Sequence, residues 1–490
     1  MKQNLVNWKI ILPLTIVICL VLLPATIWAQ GPSIDSISPS SATQGSSGVS
    51  VTITLSSGPP NDSFSSIKIG TIEKSSYTYS QPTITAVFDF SNASIGTHDV
   101  VAEFTTPDGT QTITEADGFT INRAGGSAVV YVDADSTAAS PDGTSWDTAY
   151  KTLSDGLSNV ISGDEIWVAD GTYYPTTGTD RTASLTLVSG VVVYGGFNGT
   201  ETALAQRDYT SNITILSGDI GGTSDTKTDN SYHVLVGADN ATIDGFTVTG
   251  GYADADESDP GNRKGGGMIN YIGVTGVSPT LNNMIFDDNY AEEGGAIYTY
   301  GGGSNDFTVV VNISDSTFKN NSAKRGGAIL ARVAGNTAIT NSTFISNYAE
   351  WRGGAINIDY GTTTTADTWT PTIQTTTFDS NVSNGHGGAV YIDDWASQVG
   401  YTSPLFDNCI FTNNSATYLG GAFRIYNGST PKIQNSTFTN NSAGKGGGVM
   451  SVDYNATVTS NSNTFTGNSS TEGDANVDTG SKGTCTGDSC

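Results

Sequence analysis

The sequence predicts an all-β chain: a small β-sandwich followed by a right-handed, single-stranded parallel β-helix with one short capping helix. Three observations predict it. Of 490 residues, 59 are glycine and only 14% are charged, and runs of good helix formers are scarce. A block of the form FxxN…GGA recurs between Phe286 and Met450. After each glycine pair, apolar residues return at every second position, the period of a strand with one buried face.

At the N-terminus, Lys2 and Lys9 precede the apolar run Ile10–Leu23 and the small-residue end Ala25–Ala29. This pattern predicts a signal peptide over 1–29, too short in its apolar part for a comfortable membrane span. It places the mature chain in a secreted, extracellular or outer-surface setting, with no transmembrane segment. Residues 31–122 contain the strand-like runs Val49–Leu55, Thr83–Phe90, Asp99–Phe104 and Phe119–Asn122, separated by Gly, Pro, Ser and Asp turns, which predicts a β-sandwich. The segments PSIDSISPSSATQG (Pro32–Gly45), GTHDVVAEFTTPDG (Gly96–Gly109) and GFTIN (Gly118–Asn122) resemble the IPT/TIG family of immunoglobulin-like domains. The resemblance implies a spacer or binding module and carries over no catalytic residue. Arg123–Ser127 (RAGGS) reads as a linker.

Residues 128–478 are predicted to form the β-helix, and 479–490 a tail. The strand Val129–Val132 comes first. Then Ser145–Val160 places Trp146, Ala149, Tyr150, Leu153, Leu157 and Val160 on one face at helical spacing, predicting an amphipathic helix that covers the first coil. Short strands broken by glycine follow up to Gly251.

The repeats occupy about 280–470. Phe286, Phe318, Phe344, Phe378, Phe411 and Phe438 open six blocks, and Phe465 opens a half-block. The phenylalanines are 32, 26, 34, 33, 27 and 27 residues apart. Asn289, Asn321, Asn347, Asn381, Asn414 and Asn441 follow three residues after each phenylalanine. Glycine pairs begin eight or nine residues after it: Gly294–Gly295, Gly326–Gly327, Gly353–Gly354, Gly387–Gly388, Gly420–Gly421 and Gly447–Gly448. A fixed segment with a variable remainder is what one coil with one loop of free length produces. Phe is expected to stack on Phe and Asn on Asn, with the glycines turning corners that other residues resist. Inward positions read Ile297, Ile329, Ile356, Val390, Phe423 and Met450. The alternate, outward positions read Tyr298 and Tyr300, Leu330 and Arg332, Asn357 and Asp359, Tyr391 and Asp393, Arg424 and Tyr426, Ser451 and Asp453.

These blocks resemble the repeats of the polymorphic outer membrane protein family, defined by paired FxxN and GGA[ILV] motifs. The sixth block departs from the second motif as GGGVM. In that family the repeats form a β-helical passenger, often adhesive, attached to a membrane barrel. After Phe465 only about one coil and a short tail follow here, so anchoring by a barrel within this sequence is not expected.

The formal net charge is −27, from 20 Lys+Arg against 47 Asp+Glu. That surplus argues against a nucleic-acid partner and repels acidic glycans unless Ca²⁺ bridges the two. No other cofactor is indicated. Cys485 and Cys490 are spaced for a small disulfide loop in an oxidising compartment, whereas Cys409, in a strand-like run, reads as a buried thiol.

A parallel β-helix of the pectin-lyase-like type also hosts polysaccharide lyases and hydrolases, and the residues suited to such chemistry lie on the outward rows. Asp359, Asp393 and Arg332 form the one such constellation. The two aspartates sit on adjacent coils roughly 5 Å apart, which suits a carboxylate pair or, with Asp394, a Ca²⁺ site. His386 has no evident partner. Tyr298, Tyr300, Tyr391, Trp395 and Tyr426 are candidates for stacking on sugar rings. The sequence favours a non-enzymatic surface protein acting in adhesion or in glycan or matrix binding. The alternative is a carbohydrate-active enzyme on the same fold.

Overall fold

The computed structural model describes residues 33–56, 64–91, 93–106, 109–122, 128–222, 226–271, 277–301, 309–332, 335–359, 370–394, 402–480 and 482–490. The signal segment, the linker Arg123–Ser127 and Trp395 lie outside the described residues. The chain divides into two compact units, one spanning 1–93 with 97–120 and the other 121–490 with 94–96.

The first unit has two sheets. Ile34–Ser38, Val49–Leu55, Thr83–Phe88 and Tyr77–Ser80 form an antiparallel sheet in that order. Ser41–Thr43, Gly109–Asn122, Gly96–Thr106, Phe64–Ile69 and Ile72–Lys74 form the other. Val51, Ile53 and Leu55 are buried while the residues between them are not, so a clean two-residue period supplies one inner face. Phe88, Phe90 and Phe119 stack within the same unit.

The second unit is a right-handed parallel β-helix. Each complete coil contributes four strands. Thr280–Asn282, Ile285–Asp287, Tyr290–Glu293 and Ile297–Tyr300 make one coil, and Val309–Ser314 begins the next. Stacking the coils generates four parallel sheets, here called faces 1 to 4. Among the described residues these faces have twelve, ten, eight and ten strands.

Face 2 carries the phenylalanine column. Phe286, Phe318, Phe344, Phe378, Phe411, Phe438 and Phe465 are register partners in turn. Their rings stack with centroids 4.6–5.3 Å apart. The six rings from Phe286 to Phe438 are fully buried, each contributing about 2–3 kcal/mol by leaving water.

The corner between faces 2 and 3 explains the paired asparagines of FKNN. Asn320 takes a left-handed backbone (φ 55°), which Asn tolerates better than most residues. Asn321 then turns inward and joins a ladder. Its Nδ2 donates to Asn347 Oδ1 at 3.0 Å and to the carbonyl of Phe286 at 2.9 Å. The same pattern runs unbroken from Asn289 to Asn468, so each buried amide finds its partners on neighbouring coils. The glycine pair turns the corner between faces 3 and 4. Gly353 sits at φ 63°, and a methyl group on Gly354 would lie 2.1 Å from the Gly388 carbonyl.

A second ladder lies between faces 1 and 2. There Met284 N–H donates to Ser316 Oγ, Ser316 N–H to Ser342 Oγ, and Cys409 N–H to Ser436 Oγ. Cys409 thus occupies a column of small polar residues. It is buried, which pushes its thiol up to about 12, and this protonated thiol is inert. Cys485 and Cys490 are joined by a disulfide.

The predicted helix over Ser145–Val160 is corrected. Only Trp146–Thr148 (one 3₁₀ turn) and Leu153–Leu157 (α) are helical. Between them Ala149 is extended, and Tyr150 forms a parallel bridge to Val132. Pairing with the first strand of face 1 overrides the helical pattern there, and Thr152 caps the shorter helix by accepting from Asp155 N–H. Ala149, Leu153, Leu157 and Val160 are buried nonetheless. Among the described residues no helix is long and apolar enough to cross a membrane.

Candidate functional site

Face 4 and the corner before it hold the chain's charged constellation. Three columns run across the coils. The corner column, immediately before each glycine pair, is Lys264, Glu293, Arg325, Arg352 and His386. The inner row of face 4's outward side is Ile269, Tyr298, Leu330, Asn357, Tyr391, Arg424 and Ser451. The outer row is Tyr300, Arg332, Asp359, Asp393 and Tyr426.

The inner row points away from the core and was expected to meet solvent. The structure corrects this: Tyr298, Leu330, Asn357, Tyr391, Arg424 and Ser451 are all buried. The physical reason is the corner column, whose long side chains fold over this row. The Lys264 ammonium lies 5.1 Å from the ring centre of Tyr298, and the Arg352 guanidinium 4.8 Å from that of Tyr391. Neither tyrosine offers a free face of the kind that sugar stacking requires. Tyr300 and Tyr426 are half-exposed and separated by four coils. Each is packed on an exposed tyrosine, Tyr271 (5.3 Å) and Tyr454 (4.6 Å) respectively.

Asp359 and Asp393 are register partners on adjacent coils, and Arg332 is the partner of Asp359 on the other side. The two carboxylates are only 2% and 1% exposed. Arg352 reaches across to Asp393 Oδ2 at 3.1 Å, and Asn427 Nδ2 donates to Asp393 Oδ1 at 2.8 Å. Arg325 stands 3.9 Å from Asp359, while Arg332 turns to Glu293 at 3.5 Å. Burial, and then the negative charge of Asp393, push the Asp359 carboxyl up to about 7. Burial also raises that of Asp393. Asp394 is buried and accepts from Thr402 N–H at 3.4 Å.

A Ca²⁺ ion takes six to eight oxygens. Here the oxygens of Asp393 are engaged by a guanidinium and an amide, and no group of three acidic, His or Cys side chains among the described residues is placed to hold a metal.

His386 belongs to the corner column above Arg352. Burial and the positive charges of Arg424 and Arg352 push its imidazole down to about 4, so it is neutral at physiological pH. Asn357 is fully buried, and neither atom of its amide has a partner among the described residues.

Net charge concealed one feature. Arg263, Lys264, Lys324, Arg325 and Arg332 converge on an open groove of about 340 Å³, lined also by Glu257, Glu292, Glu293 and the exposed Trp351. Their sequence signal was the pair of charges before the glycines (RKGG, EEGG, KRGG), which stack on successive coils.

Residues 283–300, 315–332, 375–393, 408–425 and 435–451 match the family model of the Chlamydia polymorphic membrane protein repeat. Five blocks of this β-helix are thus similar to that repeat. The block opened by Phe344 lies outside the matched segments, yet its ring and Asn347 keep their places in both columns. No curated protein matches the chain. Among solved structures it is similar to pectate lyase Pel9A, with 14% identity and a TM-score of 0.43 over 72% of this chain and 80% of that one. It is also similar to endo-xylogalacturonan hydrolase from Aspergillus tubingensis, with 12% identity and a TM-score of 0.30 over 74% and 99%.

Proposed function

We propose that this is a secreted or cell-surface protein whose polymorphic membrane protein repeats build a rigid, non-enzymatic binding face used in adhesion to glycans or matrix. The observation that carries the reading is the roof over the acid pair. Asp359 and Asp393 lie beneath Arg325 and Arg352, whereas the accessible side chains of the outer row are Tyr300, Arg332 and Tyr426, two of them aromatic. Such a face is built for recognition, with Tyr271 and Tyr300 at one end and Tyr426 and Tyr454 at the other. The sandwich, read as an IPT/TIG-like domain, is a spacer or an accessory binding module. Binding of the mature chain to a glycan panel tests this. The paired variant Tyr300→Ala/Tyr426→Ala is expected to lose most of the signal while keeping the wild-type melting temperature, and undiminished binding would defeat the assignment.

A second reading, polysaccharide cleavage, draws on the adjacent aspartates and the unpartnered amide of Asn357 beside them. It requires product release from a polysaccharide by the wild type that disappears in a folded Asp359→Asn/Asp393→Asn variant.

A further inference from the structure

The chain is strongly acidic, yet the groove around Lys264 is not. Five cationic side chains face three carboxylates there. Glu292 pairs with both Arg263 and Lys324, the latter at 2.5 Å. Glu293 pairs with both Arg325 at 3.3 Å and Arg332 at 3.5 Å. Glu292 and Glu293 therefore serve four cations, with Asp359 a further partner 3.9 Å from Arg325. Lys264 has no carboxylate within ion-pairing distance among the described residues, and its ammonium rests against Tyr271 and Tyr298 instead. Burial above all holds its pKa below the usual lysine value, with Glu293 opposing the shift and the positive charges of Arg332 and Arg263 adding to it. A bound anion would give this half-buried ammonium a direct partner.

The rest of the lining narrows the ligand. Trp351 is 48% exposed at the rim, with Lys324 and Arg325 near its ring, so an apolar ring face has a surface to lie on. Glu257, Glu292 and Glu293 supply acceptors for hydroxyl groups, but they repel a dense polyanion. A hydroxyl-rich ring with isolated negative charges satisfies all three features. The volume is that of a small-ligand pocket. We propose that this groove binds a saccharide bearing isolated carboxylates, held by Lys264, Lys324 and Arg332 and stacked on Trp351. This rests on the glycan-binding reading above and names the ligand class.

Calorimetric titration of the mature chain tests it, with a hyaluronan oligosaccharide as the probe and its carboxyl-reduced, neutral counterpart as the control. The acidic form is expected to bind, and to bind more weakly as salt is added. The neutral form, and the variants Lys264→Gln and Trp351→Ala, are each expected to bind about tenfold more weakly. Lys324→Arg, which keeps the charge, is expected to retain binding. Lys432→Gln makes the same change in net charge on face 1, far along the coil, and is expected to leave affinity unchanged. Equal binding of acidic and neutral forms, or an equal effect of Lys432→Gln and Lys264→Gln, would overturn the assignment. Tighter binding of a heparin fragment or single-stranded DNA would overturn it too, marking a polyanion site. Binding confined to neutral glycans on the panel would refute the groove's ligand class and leave the adhesive reading standing, whereas a chain that binds no glycan defeats both.

Discussion

Asn381 donates from Nδ2 to Asn414 Oδ1 at 3.0 Å and to the Phe344 carbonyl, while its own Oδ1 accepts from Asn347. Replacing it with alanine strands those buried partners, so Asn381→Ala is expected to lower unfolding stability by about 3 kcal/mol in a denaturant titration. Asp359 makes a different prediction. Folding raises its pKa from the ordinary 3.8 to about 7, so the folded state holds the proton more tightly. The stability this contributes is full below pH 3.8 and is lost as pH rises through about 7. Wild type should therefore weaken relative to Asp359→Asn between pH 4 and pH 8, and parallel stability curves would show that the pair is not buried as described. Phe318, Asn321 and Gly327 were legible in the sequence because every coil imposes the same demand on them. The burial of Tyr298 and Tyr391 was not. It depends on where Lys264 and Arg352 lay their long side chains, and no sequence period records that direction.

At the scale of elements, the glycine corner is the least forgiving part of the coil. Gly354→Ala would force a methyl group against the Gly388 carbonyl at a corner braced on both sides by neighbouring coils. A loss of about 3 kcal/mol is expected by thermal or chemical unfolding, and a neutral effect would mean that the corner is slack. The strands of faces 2 and 4 were readable from their alternation, whereas the segment after Val132 was not. Trp146, Ala149, Leu153 and Leu157 fit a helical stripe, and all except Trp146 are buried, but the bridge from Tyr150 to Val132 divides it. A local pattern specified which residues go inside, and a non-local strand pairing decided the backbone. The groove shows the same limit. Its lining comes from four coils and its cations from two of them, and whole-chain charge averages them away.

For the whole molecule, the uneven spacing of the blocks is absorbed in one place, the connection from face 4 to face 1. It ranges from two residues, 333–334, to twelve, 360–371. Within the blocks the other three connections are two to six residues long, which keeps the columns in register while the loop lengths vary. The acid pair, the roof of arginines and the groove all depend on that register. Disulfide trapping tests it most directly. Thr343 and Thr377 are register partners on adjacent coils of face 2, close enough for a bridge, whereas Thr343 and Asp379 are two positions out of step and beyond the roughly 7 Å limit. Mild oxidation of the folded protein, read by peptide mass, should cross-link Thr343→Cys/Thr377→Cys and leave Thr343→Cys/Asp379→Cys reduced. A folded protein that bridges the second pair and spares the first would contradict the stacking from which all the rest follows.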